Sequence, residues 1–215
     1  YLAEWQDDQE AFGGRPRAPQ ATPAIVGNTL VTIGFTGIVR GLDRDTGDVR
    51  WQFKSVEDFE SKPVQFGFSA SPIPFGDRVL VLIGGSNAGL VCLEAETGER
   101  VWNAPCGEAS YGTPILWNHK QGLQVVFQDR DHLIGVLAES GAVLWRHELP
   151  QSGLTNVPTP LPIDETILVI SGQGVGGTAR LEIRSRDAAW TVNKVWRSRV
   201  QFFYCNWLAH ANRIV

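Results

Sequence analysis

A chain of 215 residues with 43% hydrophobic and 20% charged residues is globular and long enough to bury a sizeable core, which excludes a disordered polymer. Its net charge of −4, without a basic block, argues against nucleic acid as the main partner, and no run of 18 apolar residues is available to span a membrane. Gly 23, Pro 12 and Trp 8, without a sustained helical period, predict many short strands and turns. No signal-peptide pattern opens the chain, but it also contains no Met and stops inside what reads as a new repeat, so it is expected to be an internal fragment.

In chain order, residues 1–18 show no clean period and are expected to close a preceding unit or form a loop. A first unit, 19–62, predicts strands at Thr22–Val26, Thr29–Phe35, Ile38–Asp43 and Val49–Phe53, with Gly27-Asn28, Thr36-Gly37 and Thr46-Gly47 as turns. The loop that follows contains Glu57, Asp58 and Glu60, read as a solvated face and not a cation site. A second unit, 63–105, holds SPIPF, RVLVLIGG, GLVCLEA and RVWNA. The unbroken apolar run RVLVLI suits a strand covered on both faces. A third unit, 106–150, runs through YGTPILW, LQVVFQD, HLIGVLAE and VLWRHEL. The fourth, 151–199, has NVPTPLP, TILVISG, ARLEIRS and, after the extra residues DAAWTVN, KVWRS. A fifth is expected to begin within 200–215, where Phe202, Phe203, Tyr204, Trp207 and Leu208 form an apolar cluster. The four full units open with Thr22-Pro23, Ser71-Pro72, Thr113-Pro114 and Thr159-Pro160, and proline at a strand start removes no ladder bond.

One element recurs through these units: an acidic residue, Thr or Ser, Gly, three residues, then Trp. It reads Asp45-Thr46-Gly47 to Trp51, Glu96-Thr97-Gly98 to Trp102 and Glu139-Ser140-Gly141 to Trp145, with a decayed copy ending at Trp196. The glycine permits positive φ in a hairpin turn, and the oxygens of Asp45 and Thr46 are expected to bond nearby backbone amides. The Trp falls on the returning strand and carries more apolar area than one small sheet can bury, so the neighbouring copy is its natural partner. A period of this length predicts an all-β propeller of four-stranded antiparallel blades, here a partial ring of about four. Trp51, Trp102, Trp145 and Trp196, with Gly47, Gly98 and Gly141, are the expected blade-docking residues.

LDRDTGDVRW and LEAETGERVW resemble the Ala-x-Asp-x-x-Thr-Gly-x-x-x-Trp motif of the pyrroloquinoline-quinone-like β-propeller repeats. TPAIVGNTLVTIGFTGIVRGLD, QFGFSASP and ASYGTPIL are similar to bacterial members of that family. The resemblance spans nearly everything from Pro19 to Arg199. It implies a ring of seven or eight blades, usually eight, of which this chain would hold about half. It also implies a periplasmic or cell-envelope setting. The family includes quinoprotein dehydrogenases that hold pyrroloquinoline quinone and calcium over the channel, and non-catalytic members such as the lipoprotein scaffold of the outer-membrane β-barrel assembly machinery.

The residues favour the scaffold. There is no adjacent Cys pair of the kind that lies on the quinone in the dehydrogenases, and the acidic residues belong mostly to turns. Cys92, Cys106 and Cys205 are widely spaced, and Cys92 reads as a small buried hydrophobe. Gly172 to Gly177 spells GxGxxG, but a strand pattern follows it where a dinucleotide site needs a helix, so a glycine hairpin is expected. His119, His132, His147 and His210 lack ligand spacing and read as turn or edge residues. Ser69, Ser71 and Ser110 lack a nucleophile elbow. Residues that precede the Thr-Pro or Ser-Pro starts enter the ring from one side, so Gln65, Phe66, Phe68, Tyr111 and Asn156, with Ser110 and Thr155, are candidates for a binding surface at the channel mouth. The alternative for Phe66 and Phe68 is that they plug the gap between blades. No catalytic, metal or cofactor residue is assigned. The expected partners are proteins, together with the remaining blades of a parent chain or a second copy, and the competing reading is part of a quinone- and calcium-dependent alcohol or sugar dehydrogenase.

Overall fold

The computed structural model describes residues 20–62, 64–149, 157–172 and 177–200, with the backbone of 209–210 and 213–214. The apolar cluster expected at 202–208 and the opening segment 1–18 lie outside the described residues. Four antiparallel sheets of four strands follow one another along the chain, each pairing its strands in sequence order. The first holds β1 (Ala24–Val26), β2 (Thr29–Ile33), β3 (Ile38–Asp43) and β4 (Val49–Lys54). The second holds β5 (Ile73–Phe75), β6 (Arg78–Gly84), β7 (Gly89–Glu94) and β8 (Arg100–Ala104). The third holds β9 (Ile115–His119), β10 (Gly122–Gln128), β11 (His132–Leu137) and β12 (Val143–Glu148). The fourth holds β13 (Leu161–Pro162), β14 (Ile167–Gly172), β15 (Gly177–Arg186) and β16 (Ala189–Ser198). A further pair, β17 (Ala209–His210) and β18 (Arg213–Ile214), follows.

The sheets stack face to face through three cores. Val31, Ile33 and Val39 of the first meet Val79, Val81, Ile83, Val91 and Leu93 of the second. On the opposite face of the same strands, Leu80, Leu82, Leu90 and Cys92 meet Val125, Phe127, Ile134 and Val136 of the third sheet. Val126, Leu133 and Trp145 then meet Leu168, Ile170, Leu181 and Ile183 of the fourth. Alternate residues of a strand point to opposite faces, so a strand between two neighbours must be apolar at every position. This accounts for RVLVLI, whose residues from Val79 to Ile83 are all at most 1% exposed. Each such side chain contributes about 1.5–3 kcal/mol when fully buried.

The recurring turn has one geometry. Gly47, Gly98 and Gly141 have φ of 81°, 74° and 70°, and their N–H groups donate to the carbonyls of Asp43, Glu94 and Leu137. Thr46 Oγ1 accepts from the Asp48 N–H and Thr97 Oγ1 from the Glu99 N–H, as expected of the hydroxyls. The expected role of Asp45 belongs instead to Asp43, whose Oδ1 accepts from the N–H groups of Asp45 and Thr46 at 2.9 Å. A carboxylate reaches amides two and three residues ahead of it, not those beside it. The Thr46 amide, then the Arg50 guanidinium, hold the Asp43 carboxyl at about 2.

Three positions differ from the sequence reading, and a fourth agrees with it. The loop after β4 contains a short helix, α1 (Ser55–Phe59), anchored by Ser55, whose N–H and Oγ both donate to the Gly37 carbonyl. Its acidic residues are engaged: Glu57 pairs with Lys54, Asp58 accepts the Lys54 N–H, and Glu60 accepts from Asn87. The residues DAAWTVN are not an insertion between strands. Asp187 and Ala188 form a two-residue turn with φ of 51° and 63°, and the rest lengthens β16 to 10 residues. Such a turn needs left-handed backbone at both central positions, which alanine adopts at a cost of about 1–2 kcal/mol. Ala188→Gly should therefore raise the urea midpoint, with a net gain of up to about 1 kcal/mol after the glycine's unfolded-state entropy. His119 is an edge-strand residue but is only 4% exposed, packed between the third and fourth sheets. Finally, Gly172 pairs with Gly177 across a hairpin as expected, although 173–176 lie outside the described residues.

Candidate binding face

The segments that enter the second and third sheets pack on the turn between the second and third strands of the sheet before. The Phe68 N–H donates to the Phe35 carbonyl at 2.9 Å, and the two aromatics interlock with glycines: a Cβ on Gly37 would lie 2.6 Å from the Phe68 ring, and one on Gly67 would lie 2.6 Å from Phe35. At the next junction a Cβ on Gly84 would lie 2.5 Å from the Ala109 nitrogen, and the Gly85 N–H donates to the Gly107 carbonyl. Asp129, 1% exposed, ties the same junction by accepting from the N–H groups of Gly107, Asp131 and His132. His132 places Nδ1 3.2 Å from the same carboxylate.

The Thr-Pro and Ser-Pro starts form a relay that the sequence did not suggest. The Thr22 N–H donates to Ser71 Oγ (2.9 Å), the Ser71 N–H to Thr113 Oγ1 (3.1 Å) and the Thr113 N–H to Thr159 Oγ1 (3.2 Å). Equivalent residues of four successive sheets are thus stitched across the gaps. Proline next in sequence has no N–H, so the residue before it carries the last donor at each entry. The signal available in the sequence was the recurrence of a hydroxyl residue immediately before each proline. Ser71, Thr113, Pro114, Ile115, Thr159, Pro160, Leu161 and Pro162 line an open groove of about 390 Å³ beside the relay.

The candidate mouth residues divide into two groups. Phe68 is 2% exposed in the core between the first and second sheets, the plug that was one of its two expected roles. Phe66 is 38% exposed and meets Tyr111 across the junction between the second and third sheets. Their ring centroids are 6.0 Å apart, and the Phe66 N–H donates to the Tyr111 hydroxyl at 3.0 Å. Gln65 is exposed beside them, and Ser110 is buried with its Oγ accepting from the Gly112 N–H. Thr155 and Asn156 lie outside the described residues.

Two of the expected docking residues, Trp51 and Trp102, repeat one geometry against the next sheet. The Trp51 ring lies against Gly98, where a Cβ would come within 2.6 Å of it, and its Nε1 donates to the Ala95 carbonyl at 2.9 Å. The Trp102 ring lies against Gly141 in the same way, at 2.4 Å. Trp145 is 4% exposed, lies over Gly135 of its own sheet and donates to Gln124 Oε1 at 2.8 Å. Trp102 is 8% exposed, whereas Trp51 is half-buried. Trp196 departs from these: it is 40% exposed and faces Arg180 across the ladder. In every sheet the register shifts on the fourth strand beside the Trp, leaving Arg50, Val101, Leu144 and Val195 as the extra residues. A bulge of this kind re-aims the neighbouring side chain.

Burial pushes the thiols of Cys92 and Cys106 up to about 12, so neither is a nucleophile at neutral pH. A quinone with calcium needs convergent oxygen ligands, and among the described residues no three His, Cys, Asp or Glu side chains converge. Asp43, Asp129 and Asp164 instead hold backbone N–H groups of their own turns.

A family model described as outer membrane protein assembly factor BamB, built on pyrroloquinoline-quinone-like repeats, matches residues 36–120 and 116–201. The outer membrane protein assembly factor BamB of Burkholderia pseudomallei (strain K96243) is 27% identical over 187 residues, covering 81% of this chain and 45% of that protein. The crystal structure of BamB from Moraxella catarrhalis superposes with a TM-score of 0.55 at 19% identity, over 92% of this chain and 53% of that one. The computationally designed Ika4 protein superposes with a TM-score of 0.51 at 16% identity, over 87% of this chain and 99% of that one. The chain spans about half the length of the BamB proteins it matches. With two matched stretches that together run from residue 36 to residue 201, the chain belongs to the PQQ-like repeat family described as outer membrane protein assembly factor BamB.

Proposed function

We propose that this chain is a non-catalytic, protein-binding scaffold of the cell envelope, and that its binding face is the end of the sheets carrying Phe66, Tyr111 and Gln65. The observation that carries the reading is the Phe66–Tyr111 pair, because an aromatic ring that is 38% exposed while its backbone is tied to the next sheet is preorganised for contact. Phe68 buried beneath it keeps this segment in place. The relatives support the setting, since both carry the name of an outer membrane assembly factor. In a longer parent, the faces of the first and fourth sheets that point away from the other sheets are where further repeats, or a second copy, stack.

Site-specific photocrosslinking in cells tests the face. A crosslinker at Gln65 should yield a discrete protein adduct that one at Ile25, which is 55% exposed, does not. Phe66→Ala should reduce the Gln65 adduct at least fivefold without lowering the unfolding midpoint. Equal adducts at Gln65 and Ile25, or an adduct indifferent to Phe66→Ala, would remove this face from consideration. Dye-linked oxidation of alcohols or sugars by the parent protein, dependent on added quinone and calcium, would overturn the scaffold reading itself.

A further inference from the structure

The β15–β16 hairpin is longer than its sheet. β14 pairs with β15 as far as Ile167 opposite Glu182, and the Ile183 N–H still donates to the Thr166 carbonyl, so Arg184–Arg186 and Ala189–Thr191 pair with each other beyond the second strand of the sheet. A two-stranded ribbon is marginal without further packing. This overhang is held down on the third sheet at the β9–β10 turn. His119 Nε2 lies 3.2 Å from the Ile183 carbonyl, the Gln121 side chain donates to the Ser185 carbonyl at 3.1 Å, and Trp190 packs on the His119 ring at 5.1 Å between centroids. Trp117 also lies against the ring, at 4.9 Å between centroids, and anchors its own Nε1 on the Asp164 carbonyl.

The hydrogen bonds define the protonation state. Nδ1 of His119 accepts the Gln121 N–H at 3.1 Å, so the ring proton sits on Nε2 and is donated to Ile183. Only the neutral ring satisfies both contacts. A second proton, on Nδ1, would face the Gln121 N–H directly, inside a site that is 4% exposed and bounded by two indoles. The charged groups around the ring are few. Lys120 of its own turn opposes protonation and Glu165 of the β13–β14 connection favours it. Asp164 in that connection is committed to Thr166 and Ile167, and on β15 Glu182 and Arg184 pair with each other at 2.6 Å. Where β12 meets β16, His147 lies near Lys194 and is a separate titrating group.

We propose that His119 is a pH-dependent pin that fastens the β15–β16 overhang to the third sheet at neutral pH and releases it in mildly acidic solution. Release uncovers the Trp117 and Trp190 faces and converts a fixed strap into a mobile arm. Burial, the largest influence on this ring, holds its pKa below the ordinary 6.5. The unfastened chain therefore binds the proton more tightly than the fastened one. Fastening is complete above 6.5 and weakens as the pH falls from 6.5 through the lowered value.

Hydrogen exchange of the whole chain at pH 7.5 and 5.5, corrected for intrinsic exchange rates, tests the proposal. Peptides covering 184–191 should lose protection several-fold, up to about tenfold, at the lower pH while those covering β6 and β7 do not. In His119→Gln, which keeps a donor for Ile183 but cannot be charged, the overhang should exchange equally at both pH values. An unchanged overhang in the wild-type chain, or the same loss in His119→Gln, overturns the pin and would point to His147. If His119→Gln does not fold, NMR of 15N-histidine in the wild-type chain decides the matter. His119 must titrate below 6.5 in step with the overhang. Titration at or above that value, or out of step, overturns the proposal.

Discussion

Gly141→Ala should destabilise the chain by about 2–5 kcal/mol, combining the cost of an alanine in left-handed backbone with that of displacing a buried ring. The φ of Gly141 is 70°, and a Cβ there would sit 2.4 Å from the Trp102 ring. Gly98→Ala should behave alike, with φ 74° and Trp51 at 2.6 Å. The matched comparison is Gly47→Ala. Its φ is 81°, but nothing lies within 4 Å of the added carbon among the described residues, so only the backbone cost of about 1–2 kcal/mol is expected. Urea unfolding of the three variants separates the two effects. If all three lose the same amount, the glycine is required by the turn alone and contact with the neighbouring sheet's Trp plays no part.

Trp102→Ala should cost about 3–5 kcal/mol, because removal of the ring leaves a cavity in the core between the second and third sheets that rigid strands on both sides cannot close. Replacement by phenylalanine should separate Trp102 from Trp145. Trp102 Nε1 is buried without a hydrogen-bond partner among the described residues, so losing it relieves an unsatisfied donor and offsets part of the lost packing. Trp145 Nε1 donates to the buried Gln124, whose Oε1 would be stranded by the change at a cost of about 1–3 kcal/mol. Trp145→Phe is therefore expected to be the more damaging of the two by about 1 kcal/mol or more, measured as the difference in unfolding free energy. The reverse order would mean that the indole N–H groups matter less than the volume they occupy.

Much of the architecture was legible because it repeats. A turn glycine and a returning Trp recur in the first three units and a proline-marked start in all four, and the chain forms the four sheets β1–β4, β5–β8, β9–β12 and β13–β16. The strand bounds in the first sheet match the expected ones to within two residues. The helix α1 was missed because it has one turn and is held by Gly37, 18 residues away in sequence, with no periodicity of its own. DAAWTVN was misread because neither Asp187 nor Ala188 is the glycine that a two-residue hairpin normally announces. The candidate face was half legible. Position before the Thr-Pro or Ser-Pro starts marked both Phe66 and Phe68, which an extended segment would place on one side, but the chain turns at 65–66 and Gly67 has a φ of 75°, so one is exposed and the other is core.

By itself the sequence determined that this is an all-β chain of repeated four-stranded units in the PQQ-like family, because backbone period, turn glycines and apolar runs are local properties that each unit carries in full. Tertiary structure alone decided which groups meet. The relay from Thr22 to Ser71, Thr113 and Thr159 joins residues 42 to 49 positions apart, and the His119 contact with Ile183 spans 64. A hydroxyl or an imidazole has the same local signature whether it meets water or another sheet, and only the stacking of one sheet on the next supplies the partner.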